Sequence, residues 1–224
     1  MRGARCRCDD RFERGLRLRG FLSIAGLDEA GRGSLFGPVF AAAVILSPVH
    51  PVRGLRDSKE LEPRRREELA AQVEARAVSW AVASADSVEI DRINILQASR
   101  LAMKRAVEQL DARPDFLLVD AVSVDLPIPQ RGLIHGDARC RSIAAASILA
   151  KVHRDAAMRE WDAVYPQYGL ARGKGYPTAE HLTALKAYGP SPHHRFTYDP
   201  VRRLNTAMQL ELLPAAGMES VPCR

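Results

Sequence analysis

Four acidic residues stand at points of the sequence where predicted strands end. Asp28 and Glu29 are adjacent, between an apolar run and a turn with three glycines, in the stretch IAGLDEAGRGSLFGP over residues 24 to 38. Asp120 directly follows a run of four apolar residues, and Asp137 precedes an Ala-rich segment. Ligand sites of open α/β sheets gather at the ends of strands. We therefore expect the four carboxylates to converge.

Converging carboxylates repel one another unless a cation compensates their charge. Two unit charges about 4 Å apart repel by roughly 4 kcal/mol at an effective dielectric constant near 20. A divalent cation removes this cost, and Asp and Glu oxygens favour Mg²⁺ or Mn²⁺ over zinc, which prefers His and Cys. The chemistry typical of such a site is phosphoryl transfer with two ions. The alternative is that each acid caps a turn or helix separately, and Asp120 fits that alternative worst.

The hydrophobic pattern predicts strands and helices that alternate along the chain. Strands are predicted over residues 23 to 30, 38 to 46, 80 to 86, 116 to 121 and 132 to 137, and helices over 63 to 77, 87 to 110, 142 to 165 and 178 to 189. Only the glycine turn separates the first two strands, so they are expected to form an antiparallel hairpin. Ser87 and Thr178 are predicted helix caps. The order predicts an α/β fold in which one mixed five-stranded sheet is flanked by helices.

Composition limits the class of protein. The chain has 224 residues, of which 46% are apolar and 27% charged, as expected for one globular domain with a substantial core. Its four cysteines are too scattered for a disulfide framework, and no apolar run reaches the roughly 18 residues of a membrane span. We expect a soluble, cytoplasmic protein with no membrane partner.

The first residues differ from the rest of the chain in charge. The formal net charge is +6, and residues 1 to 20 contain seven arginines against three acids. Such a segment either contacts nucleic acid electrostatically or is a disordered extension, and its lack of periodicity favours disorder. We expect a basic, disordered extension over residues 1 to 20, a catalytic domain over 21 to 200 and a C-terminal tail over 201 to 224.

Seven blocks of the sequence resemble bacterial ribonuclease HII in order and spacing. These blocks are DEAGRGSLFGPVFAAAVIL (28 to 46), DSKEL (57 to 61), INILQASRLAM (93 to 103), VDA (119 to 121), HGD with SIAAASILAKVHRD (135 to 155), GKGYPTAEHLTAL (173 to 185) and YGPSPHHR (188 to 195). Taken together they are highly specific, and the resemblance covers residues 22 to about 200.

The resemblance implies both a fold and an activity. The fold would be RNase H-like, and the activity would be cleavage of RNA in RNA/DNA hybrids and incision 5′ of single ribonucleotides embedded in duplex DNA. Asp28, Glu29, Asp120 and Asp137 match the family's four catalytic, metal-binding acids, with Mn²⁺ or Mg²⁺ as cofactor. The products would carry a 3′-hydroxyl and a 5′-phosphate, as suits ribonucleotide removal in replication and repair.

The same resemblance suggests residues that contact the substrate. Gly31, Arg32 and Gly33 match the loop that reads the ribose 2′-hydroxyl through backbone groups, which glycines allow to approach closely. Tyr176 matches the ring that stacks on the deoxyribose past the ribonucleotide; the alternative is a tyrosine packed against Pro177 in a turn. The positions that grip the phosphate backbone or support the site are Lys59, Asn94, Ser147 and Lys151, and any of these could instead be a surface residue.

Partners follow from the resemblance as well. The expected substrates are RNA/DNA hybrid and ribonucleotide-containing duplex DNA, and the chain is expected to act as a monomer. Some relatives carry a sliding-clamp-binding peptide near the C-terminus, so the segment MQLELL over residues 208 to 213 is a candidate for one.

Three residues depart from the family's pattern. Ser34 stands where proline commonly follows the glycine loop, Ala121 where glycine follows the third acid, and His135 where lysine precedes Gly136. We expect Ser34 to loosen the loop and His135 to remove a fixed positive charge at neutral pH. The pair His193 and His194 is interpreted as surface residues rather than metal ligands.

Two rival functions are weighed against the nuclease. A nucleic-acid-binding module without catalysis would not need all four acids. A metal-dependent enzyme acting on small phosphate compounds would be favoured by a G-x-x-x-x-G-K-[ST] loop, which the glycine turn lacks. A sister class of ribonucleases with the same fold usually carries an extra N-terminal domain, for which the 21 residues before the resemblance are too few.

Overall fold

The computed structural model describes residues 8 to 211, with side chains described through Thr206. Its strands are β1 (Ile24–Ala30), β2 (Val39–Ile45), β3 (Ser79–Ala85), β4 (Phe116–Asp120) and β5 (Gln130–Leu133). Its helices are α1 (Arg11–Arg17), α2 (Pro63–Arg76), α3 (Ser87–Glu108), α4 (Arg141–Val164), α5 (Leu170–Gly173), α6 (Ala179–Tyr188) and α7 (Asp199–Glu211).

The strands form one mixed sheet in the order β3-β2-β1-β4-β5. β1 pairs antiparallel with β2, and β2 with β3, which confirms the predicted hairpin. β1 and β4 are parallel neighbours, as are β4 and β5. The predicted α/β fold with a mixed five-stranded sheet is therefore confirmed. Because β1 and β4 run in the same direction, their carboxyl ends meet at one edge.

Helices cover both faces of the sheet, which explains the apolar composition of its central strands. α3 packs on one face, where Leu27, Leu117 and Val119 belong to a common buried cluster. α2 and α4 cover the other face, around Val44. Gly26 of β1 lies directly beneath α4: a Cβ at this position would overlap the backbone of Ser142. The absence of a side chain there lets α4 lie close to the strand that carries the first two acids.

Local signals set most helix boundaries. α2 begins at Pro63, and Thr178 accepts a hydrogen bond from the His181 N–H at the start of α6, as expected. The predicted cap Ser87 is wrong: Asp86 caps α3 and forms a capping box with Glu89. The cap precedes the first helical residue, so the prediction was one residue late.

The basic N-terminal segment differs from the disordered extension that we expected. Residues 11 to 17 form α1, in which Glu13 and Leu16 are buried. The expectation of disorder is wrong for residues 8 to 20, because Glu13 and Leu16 are buried against the rest of the protein. One pair of buried residues three positions apart is too short a pattern to be recognised as helical periodicity in the sequence. Residues 1 to 7 lie outside the described residues.

The C-terminal segment begins as a helix rather than as an irregular tail. α7 runs to Glu211, and Val201 is buried in the cluster around Phe36. The candidate clamp peptide over residues 208 to 213 lies outside the described side chains. Within residues 8 to 211, no helix is both long and apolar enough to cross a membrane.

Candidate active site

The carboxyl ends of β1 and β4 bring two acids side by side. Leu27 pairs with Val119 in the parallel register, so Asp28 and Asp120 come next on adjacent strands. Asp28 is buried and Asp120 half-buried. The Ser147 hydroxyl of α4 lies near enough to the Asp28 carboxylate to lower its pKa in part, and it lies 2.9 Å from the Ser58 hydroxyl.

The turn after β5 attaches the fourth acid to the third. The Gly136 N–H donates to Oδ1 of Asp120 over 2.7 Å, which places the neighbouring Asp137 beside it. Asp137 is buried, and its Oδ2 lies 3.6 Å from the Nζ of Lys59. Lys59 itself reaches the site from outside, with 83% of its side chain exposed. The third and fourth acids thus share one hydrogen-bonded turn.

The acids hold negative charge that the protein compensates only in part. Burial raises the pKa of Asp28 well above its usual value, and repulsion by Glu29 and Asp120 adds to the shift. The pKa of Glu29 is also raised by burial, although the Arg32 guanidinium 3.3 Å away opposes the shift. A bound cation would remove this electrostatic cost.

The pKa of Asp137 and that of Lys59 report the same excess of negative charge. Burial raises the pKa of Asp137, and Asp57 and Asp120 raise it further. Partial burial lowers the pKa of Lys59, but the carboxylates of Asp57 and Asp137 outweigh burial and leave it above its usual value. One exposed ammonium therefore faces several acids.

The donor set fits a hard divalent cation, because all four candidate ligands are carboxylates. In the part of the chain that the structure describes, no three or more His, Cys, Asp or Glu side chains are placed so that together they could hold a metal ion. The acids therefore lie at one edge of the sheet without completing a coordination shell.

A cleft of about 450 Å³ opens beside the first two acids. Nine of the predicted site residues line it: Asp28, Glu29, Gly31, Arg32, Gly33, Lys59, Ser147, Lys151 and Tyr176. Asp120 and Asp137 adjoin it through the contacts described above. Asn94 is the one predicted site residue that neither lines the cleft nor adjoins it among the described residues.

The glycine loop is shaped by what lies behind it. Gly31 has φ +100°, and a Cβ there would overlap the guanidinium of Arg154, so both conformation and space require glycine. A Cβ on Gly33 would lie 3.8 Å from the Tyr176 ring, in ordinary contact. Gly31 is therefore required by packing against the protein's own Arg154, whereas Gly33 is exposed and has room for a Cβ. Close approach of either glycine to a ribose stays a prediction.

Cations surround the Tyr176 ring. The guanidinium carbon of Arg154 lies 5.2 Å from the ring centroid, and the Nζ of Lys151 lies 5.9 Å from it. Lys151 also forms a 2.8 Å ion pair with Asp155. Ser147, Lys151 and Arg154 occupy positions i, i+4 and i+7 of α4, which is one helix face. That spacing would have identified Arg154, which the sequence analysis missed.

Asn94 serves a local structural role. It has φ 65° and interrupts α3, and its Oδ1 accepts hydrogen bonds from the N–H groups of Leu96 and Gln97. Asn94 thereby caps the second half of the helix. A contact with substrate stays a prediction for this residue.

Two expectations about individual residues are wrong. Ser34 does not loosen the loop: it is fully buried, and its hydroxyl donates to the Phe36 carbonyl over 2.9 Å. His194 is not a surface residue, because it is fully buried with its Nε2 3.0 Å from the Nε2 of His181. Ala121, at the position where glycine is common, has φ 55°, a conformation that glycine adopts without strain.

The two buried histidines extend a hydrogen-bonded chain to the backbone of Tyr176. The Ser191 N–H donates to Nδ1 of His194, so the His194 proton lies on Nε2 and points at His181. His181 then carries its proton on Nδ1 and donates to the Tyr176 carbonyl over 3.1 Å. Both rings must be neutral for this chain to form. Sequence reasoning found no signal for it, since the partners are distant along the chain.

Comparisons with known proteins agree with this geometry. The family model described as Ribonuclease HII matches residues 25 to 201. A Ribonuclease HII from Solibacter usitatus is 56% identical over 220 residues, which are 96% of this chain and 96% of the relative. The crystal structure of ribonuclease H2 from Pyrococcus horikoshii has a TM-score of 0.71 at 26% identity, covering 84% of this chain and 99% of that one.

A second solved structure supports the fold alone. It is the PCNA:RNase HII complex from Archaeoglobus fulgidus, with a TM-score of 0.68 at 24% identity, covering 80% of this chain and 96% of that chain.

Proposed function

Because the chain belongs to the ribonuclease HII family, a group of metal-dependent endonucleases that act on RNA/DNA hybrids, we propose that it also incises duplex DNA 5′ of single embedded ribonucleotides. The observation that carries the proposal is a cleft lined by two carboxylates, Asp28 and Glu29, and by the glycine loop, with Asp120 next to Asp28 on the adjacent strand and joined to the turn of Asp137. The carboxylates suit cleavage of a phosphodiester, and the loop suits recognition of a sugar hydroxyl.

Asp28, Glu29, Asp120 and Asp137 are the proposed ligands of divalent Mn²⁺ or Mg²⁺. When bound, two such ions would activate water and stabilise the charge of the attacking and leaving oxygens. Asp28 accepts a hydrogen bond from the Glu29 N–H over 2.7 Å, and Asp120 accepts one from the Gly136 N–H. These contacts fix the direction of the carboxylates before a ligand arrives.

The remaining residues of the cleft would select and position the substrate. Backbone groups of Gly31 and Gly33 would approach the 2′-hydroxyl, and the Tyr176 ring would stack on the next deoxyribose. The ammonium groups of Lys59 and Lys151 would hold phosphates without reading sequence. Cleavage would leave a 3′-hydroxyl and a 5′-phosphate.

The proposal extends to partners. We infer that the chain acts as a monomer in the cytoplasm and that its C-terminal segment contacts a sliding clamp, in line with the solved complex of PCNA with RNase HII. Light scattering during gel filtration would test the monomer. Loss of clamp binding on removal of residues 208 to 224 would test the contact.

Cleavage of three matched duplexes tests the function. They are an RNA/DNA hybrid, a DNA duplex with one ribonucleotide and an all-DNA duplex of the same sequence, each incubated with Mg²⁺, Mn²⁺ or EDTA. We expect cleavage of the first two with either ion, none with EDTA, and a 5′ fragment that a DNA polymerase extends. Binding of all three without cleavage would contradict the proposal and favour a non-catalytic module.

A further inference from the structure

Two side chains hold one carbonyl of the glycine loop from behind. The Arg195 guanidinium donates through Nη1 to the Arg32 carbonyl over 2.8 Å, and the Tyr198 hydroxyl donates to the same oxygen over 2.6 Å. Arg195 also donates through Nε to the Gly37 carbonyl over 3.0 Å. Arg195 is fully buried, and these carbonyls offset part of the cost of its charge, while its Nη2 has no hydrogen-bond partner among the described residues.

We propose that Arg195 and Tyr198 are positioning residues for ribose recognition, which rests on the function proposed above. They do not touch the substrate. They act by fixing the orientation of the peptide that joins Arg32 to Gly33, and thereby the part of the loop that faces the cleft.

Peptide geometry relates the direction of the Arg32 carbonyl to that of the Gly33 N–H. In a planar trans peptide, the C=O of one residue and the N–H of the next point in opposite directions. Two hydrogen bonds from Arg195 and Tyr198 to the Arg32 carbonyl therefore turn the Gly33 N–H the other way, toward the side of the loop that lines the cleft. Among the described residues, no backbone or side-chain acceptor takes that N–H. It is left as a donor for a ligand hydroxyl.

The loop needs such support because its own residues provide little. Arg32 and Gly33 are exposed, and glycine has the largest conformational freedom of any residue. The backing segment is itself tied down: the Arg195 N–H donates to the Leu35 carbonyl, and the Gly37 N–H to the His193 carbonyl. Segment 193 to 198 therefore forms a fixed wall, against which the loop can keep one conformation.

Tyr198→Phe isolates the positioning contact, because it removes the hydroxyl and keeps the ring. The matched control is Tyr168→Phe: the buried Tyr168 hydroxyl donates to the Gly189 carbonyl over 2.7 Å, away from the loop. Both changes are made in the non-cleaving Asp120→Asn protein. Fluorescence anisotropy with Mg²⁺ then measures affinity for a duplex with one ribonucleotide and for the all-DNA duplex.

We expect Tyr198→Phe to lower the ratio of the two affinities about tenfold, the effect of one lost hydrogen bond of about 1.4 kcal/mol. The affinity for the all-DNA duplex should not change, and Tyr168→Phe should have the same ratio of affinities as the Asp120→Asn parent. Arg195→Lys, which keeps the charge but cannot reach two carbonyls in the same fork geometry, should lower the ratio in the same way. It also serves as the second variant if Tyr198→Phe does not fold.

The outcomes separate this inference from the proposed function. An unchanged ratio in Tyr198→Phe, or equal losses on both duplexes, would show a merely structural role and overturn the inference. A parent protein that binds both duplexes equally would also overturn the inference, whereas the proposed function fails only if the wild-type protein does not incise the duplex with one ribonucleotide.

Discussion

Asp120 occupies the centre of the acidic edge. It contributes to the raised pKa values of Asp28, Glu29 and Asp137, in each case in addition to burial, so it lies within electrostatic range of all three. Its Oδ1 also accepts the Gly136 N–H, which carries the turn to Asp137. One carboxylate thus combines an electrostatic role with a structural one.

Asp120→Asn separates these two roles. An amide oxygen can still accept the Gly136 N–H, so the turn should keep its geometry, but the charge and one ligand oxygen are lost. We expect cleavage of an RNA/DNA hybrid to fall by at least about 100-fold, with hybrid affinity within about threefold of wild type. Gel assays and anisotropy measure the two quantities.

The control is Asp125→Asn, which changes an exposed acid paired only loosely, at 3.6 Å, with Lys104. It should cleave as wild type does. Cleavage by Asp120→Asn at the wild-type rate would show that Asp120 is not one of the proposed metal ligands.

Residue types and their order predicted much of the site but not the parts that support it. Asp28, Glu29 and Asp120 could be placed because strand ends are readable from the apolar pattern. Arg195 and Tyr198 could not, since their role depends on a carbonyl more than 160 positions earlier in the chain. Burial of His194 was missed for the same reason: nothing local distinguishes a histidine in a loop from one that packs against Phe36 and Tyr168.

At the scale of elements, the site depends on how closely α4 lies against β1. α4 starts four residues after Asp137 and carries Ser147, which lines the same cleft as Asp28 of β1 and partly lowers its pKa. Gly26 sets the distance between the two elements. The sequence predicted both elements but could not predict their separation, because a glycine within a strand is equally compatible with a bulge.

Gly26→Ala should therefore damage stability and activity together. Its Cβ would overlap the backbone of Ser142, which cannot move without the rest of α4. We expect a loss of roughly 1 to 3 kcal/mol in the free energy of unfolding, as for other overpacked sites, and a lower kcat/KM as Ser147 shifts from Asp28. Urea titration and hybrid cleavage measure these effects.

Gly15→Ala is the matched control, since Gly15 lies in α1 and a Cβ added there would have no neighbouring atom within 4 Å. It should be neutral or slightly stabilising, because alanine favours helix. If Gly26→Ala has the same stability and cleavage activity as Gly15→Ala, the close approach of α4 to β1 is not required for either property.

α1 is connected to the site through the start of α4. Oε1 of the buried Glu13 accepts the Ser142 N–H over 2.8 Å, so a residue of one helix caps another whose own N-cap, Cys140, makes no side-chain bond to the helix start. Glu13→Ala should cost about 1 to 2 kcal/mol, the range for a lost cap. Thermal unfolding would check this.

Glu13→Gln retains an acceptor oxygen and should therefore lower the free energy of unfolding by less than Glu13→Ala does. Deletion of residues 1 to 20 should lose more, because it also removes buried Leu16. A truncated protein as stable as the full chain would show that α1 is dispensable.

At the scale of the whole molecule, the fold was the most predictable property and its electrostatic balance the least. Alternating apolar runs were enough to predict a mixed sheet with helices on both faces. The pH dependence of stability is set by which acids and histidines are buried, and burial cannot be read from the sequence. Buried acids with raised pKa values favour the folded state at lower pH, whereas buried histidines with lowered pKa values disfavour it.

The histidine contribution can be isolated by substitution. Burial, together with the neighbouring His181 and His193, lowers the pKa of His194 from 6.5 to about 3. Between these two pH values the unfolded chain binds the extra proton, so the stability contributed by neutral His194 is complete above pH 6.5 and is lost as pH falls toward 3. By about pH 5.5 the loss should be about 1.4 kcal/mol relative to about pH 7.5.

Urea unfolding at about pH 7.5 and about pH 5.5 tests this for wild type, His194→Gln and His50→Gln, which alters an exposed histidine. The raised pKa values of Asp28, Glu29 and Asp137 act equally in all three proteins and cancel when the changes between the two pH values are compared. His194→Gln should therefore lose about 1.4 kcal/mol less than wild type on acidification, while His50→Gln should follow wild type. If all three proteins lost the same free energy of unfolding on acidification, His194 would take up its proton without breaking the hydrogen-bonded chain to Tyr176. The buried pair of histidines would then not lower the stability of the protein in mild acid.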